Sequence, residues 1–189
     1  MKHGIKIWGV MLLMLLACRI QIGPAPSPSP CSIESLLLDE TFFHKDFYQT
    51  SVPSKDGAPM RFGINKIGTG FTSNQYGGAT QEVYEGSDAK ETRERFAENI
   101  ATGYDFSSRE GWTDWYIPDT FDYQSLVADQ FRFRCYKHKA SGVETCQAVG
   151  QYGVYLIKFE ADMSPILTYQ DLERMLQGID DKAAQCLGK

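Results

Sequence analysis

The sequence predicts an α+β domain: a single twisted antiparallel sheet packed by two main helices and stapled by two disulfides. Three observations lead there. Stretches of period-two alternation are interrupted and closed by two stretches of helical periodicity. The connections between them are short, which favours antiparallel neighbours. Four of the five cysteines fall where pairing would close a hairpin and join the two ends of the domain.

In chain order, residues 32–38 form a short apolar turn or helix. Residues 60–67 alternate, with Met60, Phe62 and Ile64 on one face, and predict a strand. The glycine-rich run IGTGFTSNQYGG breaks that strand, and residues 79–84 return as a second. Ser87 or Asp88 can cap a helix running to about Thr102, with Ala89, Phe96, Ala97 and Ile100 on its inner face. Strands are expected near 127–136, 144–149 and 152–161. Thr168 with Asp171 approximates a capping box for a final helix, whose start could lie as early as Ser164-Pro165.

The cysteines are 18, 31, 135, 146 and 186, an odd count that leaves one over. Residues 130–136 place Phe131, Phe133 and Cys135 on one face, and the segment YKHKASGVET turns near Ala140 and Ser141. Such a hairpin sets Cys135 opposite Cys146, and closing that loop contributes about 3 kcal/mol. Cys31 and Cys186 are then the second pair. Tyr169, Leu172, Leu176, Ile179, Ala183 and Cys186 recur at spacings of three and four, which puts Cys186 on the buried stripe of a helix. A bridge there ties both ends of the domain and contributes about 5 kcal/mol, because the loop is long. A four-cysteine metal site would want a Cys-x-x-Cys pair, which the sequence lacks.

That leaves Cys18. Lys2 and Lys6 precede an apolar run from Ile7 to Ala17, interrupted only by Gly9. The run has the length of a signal h-region and falls short of the roughly 20 residues that cross a bilayer. It ends in Leu15-Leu16-Ala17-Cys18, which resembles the lipobox of bacterial lipoproteins, with Leu16 bulkier than usual at its position. The resemblance implies that residues 1–17 are a signal peptide and that Cys18 carries a lipid and becomes the new N-terminus. Residues 19–30, RIQIGPAPSPSP, favour an extended polyproline-II tether rising about 3.1 Å per residue. Residues 31–189 then form the α+β domain. In element order and two-disulfide layout this domain resembles two groups of extracytoplasmic α+β domains. One is the sensor domains of bacterial serine/threonine kinases with their lipoprotein relatives; the other is the PsbP-like lipoproteins. No site residue is carried over from that architectural resemblance.

Removing residues 1–17 takes away Lys2 and Lys6 and no acid, leaving 17 basic against 24 acidic side chains and a net charge of −7. An acidic chain without basic clusters argues against nucleic acid as a partner. His44 and His138 have no local partner at ligand spacing, and neither HExxH nor GxSxG occurs. Gly68-x-Gly70 lacks the rest of a dinucleotide fingerprint and the lysine of a P-loop, and reads as a hairpin turn or bulge. No calcium-loop spacing is present, and neither a metal nor a cofactor is expected.

The densest chemistry is the segment 110–123. There Trp112, Trp115, Tyr116, Phe121 and Tyr123 interleave with Glu110, Asp114, Asp119 and Asp122. Aromatic faces beside carboxylates stack on sugars and hydrogen-bond their hydroxyls, which nominates Trp112, Asp114, Trp115 and Tyr116 as ligand-binding residues. The competing reading has the aromatics close the core over a sheet edge while the acids face water. The functional expectation is a lipid-anchored protein on the outer face of a cell membrane or envelope. Its domain would act as a binding or sensor-like module for a protein, a glycan or a small ligand. The alternatives are an envelope hydrolase using carboxylates of segment 110–123, and a structural accessory without a ligand.

Overall fold

In the computed structural model of the chain, residues 31–55, 65–74, 77–102 and 111–189 are described. The expected signal peptide, Cys18 and the tether lie outside the described residues, as do Met60, Phe62, Ile64 and Glu110. Six strands, β1 (Tyr48–Lys55), β2 (Asn65–Ser73), β3 (Gly77–Glu85), β4 (Gln130–Lys137), β5 (Glu144–Tyr152) and β6 (Tyr155–Asp162), form one sheet. Every adjacent pair is antiparallel, in the order β1-β2-β3-β6-β5-β4. Two helices, α1 (Ala89–Thr102) and α2 (Tyr169–Leu187), pack on the sheet. The α+β class and both main helices are as the periodicity predicts.

The first strand departs from expectation. β2 runs through the glycine-rich stretch, and the chain turns only after Ser73. Gly68 and Gly70 are therefore strand-interior residues and not a hairpin turn: they pair in regular register with β3, while the β1 ladder shifts register opposite them, as at a bulge. The reason lies in the other face: Ile67 and Phe71 alternate with those glycines and are buried to 1% and 2% exposure. Burial of that row outweighs the weak strand preference of glycine. β1 is a further strand that the pattern does not announce.

One sheet face carries the larger core. There Phe71, Val83, Phe133, Ala148, Ile157 and Phe159 meet Leu172, Met175, Leu176 and Ile179 of α2. Two short 3-10 turns, Ile33–Leu36 and Glu40–Phe42, complete this layer. Gln81, wholly buried, fastens the first of them to the sheet. It accepts from Leu38 N at 2.7 Å and donates to Leu36 O at 2.9 Å, so one side chain satisfies two buried backbone groups. Gly178 lets α2 approach, because a Cβ there would run into the Phe42 ring. Thr168 and Asp171 form the full capping box at the start of α2.

On the opposite face α1 covers a smaller cluster of Tyr84, Phe96, Val149 and Leu156. Asp88 caps α1 by accepting from Glu91 N at 2.7 Å. The inner face of α1 keeps Phe96 and Ile100 of the expected set but not its two alanines. Ala89 and Ala97 are exposed, and Thr92 and Asn99 are buried in their stead. Both polar residues find backbone acceptors: Thr92 donates to Val154 O at 3.0 Å and Asn99 to Arg95 O at 3.0 Å. Those bonds let hydroxyl and amide occupy positions that hydrophobicity alone assigns to alanine.

Both cysteine pairings are realised. Cys135 and Cys146 are direct cross-strand partners on β4 and β5, and Cys31 is bonded to Cys186 near the end of α2. No helix among the described residues is long and apolar enough to cross a membrane.

Candidate functional site

Residues 112–116 of segment 110–123 lie along β4, an edge strand of the sheet. Thr113 N donates to Lys137 O at 2.9 Å, and Tyr116 and Cys135 exchange backbone bonds at 2.9 and 2.7 Å. The segment thus covers the upper half of an edge strand. Trp112 and Trp115 sit half-buried and meet the Tyr136 ring edge-on, at 4.7 and 4.6 Å between centroids. The Arg134 guanidinium lies 3.9 Å from the Trp115 ring centre, a cation–π contact. Tyr116 donates to Glu144, which also accepts from Tyr169 at 2.7 Å. Burial, with the Glu144 carboxylate beside it, pushes both phenols above their ordinary range. Phe121 stacks on Phe133 at 3.9 Å and is buried.

The four nominated residues therefore share one segment, and none of them, except through its neighbours, lines the hollows formed by the described residues. Trp112 and Trp115 pack over Tyr136, Tyr116 binds Glu144, and Asp114 is exposed. Asp119 and Asp122 are exposed too, and none of these acids borders the hollows described below. His44 stands beside Asp46 at 3.4 Å in an exposed loop, and His138 Nδ1 contacts Ser141 Oγ at 3.0 Å within the β4–β5 turn. Among the described residues, no group of three or more His, Cys, Asp or Glu side chains is placed to hold a metal ion.

The arrangement that the sequence does not announce is a polar face on the α1 side of the sheet. Register places Gly70, Thr80, Glu160, Gln147 and Arg134 in one cross-strand row, and Thr72, Gly78, Asp162, Thr145 and Tyr136 in the next. Where β2 and β3 present Gly70 and Gly78 the face sinks. Rimmed by Thr72, Thr80, Glu160 and Asp162, it forms a trough of about 260 Å³. Gly77 takes a φ of +79° beneath Asp162, and a Cβ there would lie 2.8 Å from the carboxylate. Glycine is the residue that permits both the turn and this approach.

Asp162 accepts from Thr145 at 2.7 Å, and Glu160 accepts from Gln147 Nε2 at 3.0 Å. Burial and the nearby Asp162 charge raise the pKa of Glu160, with Lys158 opposing and Glu82 reinforcing. One row away, Lys66 pairs with Glu82 at 2.6 Å. Burial works against ionisation of Glu82, but bonds from Lys66 and Tyr84, with the Lys66 and Lys158 charges, hold its pKa below the ordinary value. The trough thus combines two carboxylates with two threonines beside Gly70 and Gly78, a set suited to a polar ligand offering hydroxyl or amine donors.

A second, shallower hollow of about 400 Å³ lies where the β4–β5 turn meets the start of α2. Lys137, Glu144, Ser164 and Tyr169 contribute its polar lining. Glu144 is already occupied there by two phenols, which leaves it less capacity for a ligand.

No family model matches the chain, and no curated protein matches it. Among solved structures, the chain is similar to the extracellular domain of PknH from Mycobacterium tuberculosis. The TM-score is 0.53 at 12% identity, over 81% of this chain and 93% of that one. A GTP-binding regulator from Thermotoga maritima also matches, at a TM-score of 0.34 and 10% identity, over 82% of this chain and 87% of that one. The first likeness is one of fold, and the α+β architecture is thus one that an extracellular domain adopts.

Proposed function

We propose that this chain is a lipid-anchored, extracytoplasmic binding domain that takes a hydroxyl- or amine-bearing ligand in the trough between β2–β3 and β6. The observation that carries the reading is the trough itself. Two carboxylate residues and two threonines line it beside Gly70 and Gly78. Spending strand-interior positions on glycine costs sheet stability, and open space beside ligand-capable groups is what it returns.

Supporting the extracytoplasmic address are the lipobox-like Leu15-Leu16-Ala17-Cys18, the Pro-rich run after it, and two disulfides of the kind oxidising compartments permit. The Cys31–Cys186 bridge fixes the point where the tether joins the domain to the end of α2. The fold it shares with the PknH extracellular domain accords with the same address.

The test is calorimetric titration of the full chain in detergent with a neutral sugar (glucose), an amino sugar (glucosamine) and a polyamine (spermidine). Saturable binding is expected for at least one, lost in Asp162→Asn and weakened in Thr80→Val. Absence of saturable heat with all three probes, or binding unaffected by both substitutions, would overturn the trough as the site.

A further inference from the structure

Among the described residues, the lower half of β4 has no strand paired to its outer edge. Cys135 and Cys146 face each other with their Cα atoms 4.0 Å apart, the narrow spacing of a non-hydrogen-bonded pair. Hence the backbone groups of residues 131, 133, 135 and 137 point away from β5. Tyr116 takes those of Cys135 and Thr113 takes those of Lys137. The covering segment then leaves the edge at Ile117-Pro118, where Phe121 N turns back onto Pro118 O at 3.0 Å. No described residue pairs with the outward N–H and C=O groups of Phe131 and Phe133.

Beside this open stretch is a hollow of about 80 Å³, lined by Ile117, Phe121, Tyr123, Phe131 and Phe133 on its apolar side, with Arg132 at the rim. Ile117 is 63% exposed there. Arg132 is exposed, on the opposite face of the strand from the two phenylalanines, and makes no ion pair among the described residues.

We infer that the open Phe131–Phe133 stretch of β4 is a docking edge for an extended peptide segment of apolar-acidic-apolar pattern. Two N–H and two C=O groups at strand spacing are complementary to another extended backbone, and strand addition is a general mode of peptide capture. The edge already accepts a strand of this chain at residues 113–116, so a peptide would prolong an existing pairing. Its residues opposite Phe131 and Phe133 would point to the apolar hollow, which admits small aliphatic side chains. The residue between them would lie opposite Arg132, where an acid pairs across the strands.

The experiment is fluorescence anisotropy of the full chain in detergent with a labelled peptide, Ser-Thr-Val-Glu-Val-Thr-Ser. Saturable binding is expected, with slowed hydrogen exchange at the amides of Phe131 and Phe133. N-methylation of both valines removes the backbone donors and should weaken binding about tenfold or more. Arg132→Glu should weaken this peptide about tenfold and reverse the preference towards the version with Lys in place of Glu. Arg132 is exposed, so the fold is retained. No binding by about 1 mM peptide, or binding indifferent to N-methylation or to the charge exchange, would overturn the inference.

Discussion

Tyr152 donates its hydroxyl to Asp180 Oδ1 at 2.7 Å, from the last residue of β5 to the middle of α2. Two further hydroxyls reach the same carboxylate, Ser125 at 2.8 Å on Oδ1 and Tyr123 at 2.8 Å on Oδ2. Asp180 is only 5% exposed, and a buried carboxylate is tolerable only when its lone pairs are met. Burial and the Asp180 charge push the phenols of Tyr123 and Tyr152 above their ordinary range, so both stay protonated as donors. The cluster ties the loop before β4 to the helix that backs the main core.

Asp180→Ala removes the acceptor of three hydroxyls at once and should cost about 3–5 kcal/mol in urea denaturation. Asp180→Asn keeps one acceptor oxygen and can donate to Tyr123, so its loss should be smaller. Equal losses in the two variants would contradict a role based on acceptance.

Gln81→Leu leaves the Leu38 amide and the Leu36 carbonyl buried without their partner. A loss of about 2–3 kcal/mol is expected. Hydrogen exchange resolved to single amides should show Leu38 opening faster than neighbouring strand amides, because the 3-10 turn is released first.

Trp115→Ala should behave as a packing change. It removes the ring that meets Tyr136 at 4.6 Å and carries the Arg134 guanidinium. The expected cost is about 2–4 kcal/mol in thermal or urea unfolding. A variant that keeps full stability would place the ring outside the packed structure and restore it as a ligand platform.

Glu160→Gln tests the electrostatics of the trough. The Glu160 pKa is raised in the folded state by burial first, then by Asp162. A raised acid binds its proton more tightly folded than unfolded, so its contribution to stability falls as pH rises from the ordinary carboxylate pKa through the raised one. Glutamine cannot ionise and can still accept from Gln147. The variant should therefore melt higher than the parent at pH 7, with the difference shrinking towards zero as pH falls below the carboxylate range. Melting curves across pH read this directly, and a difference that grew on acidification would reverse the sign.

Legibility followed the strength of local pattern. The Cys135–Cys146 pairing was readable because period-two alternation and a turn at Ser141-Gly142 fix the register between them. α2 was readable because its apolar spacing and its Thr168–Asp171 cap agree. β1 was not: it carries Pro53, which counts against a strand, and the fold accommodates it at a sheet edge where the register shifts between Ser51 and Ser54. β2 is hard to read from sequence because glycine signals a breaker, whereas the burial of Ile67 and Phe71 keeps the strand going. The trough escaped for a related reason. Its residues are scattered from Gly70 to Asp162, and only sheet order makes them neighbours. A polar residue inside an apolar strand row, as at Gln81 between Ala79 and Val83, was the one available hint of a buried tie.

Non-reducing mass spectrometry of the protein taken from a bacterial membrane fraction tests the proposed anchoring directly. The expected species is a chain beginning at Cys18 that carries a diacylglyceryl group, with no free thiol at Cys31, Cys135, Cys146 or Cys186. A chain that retains residues 1–17, or one with an unmodified Cys18 thiol, would contradict the anchored, extracytoplasmic placement.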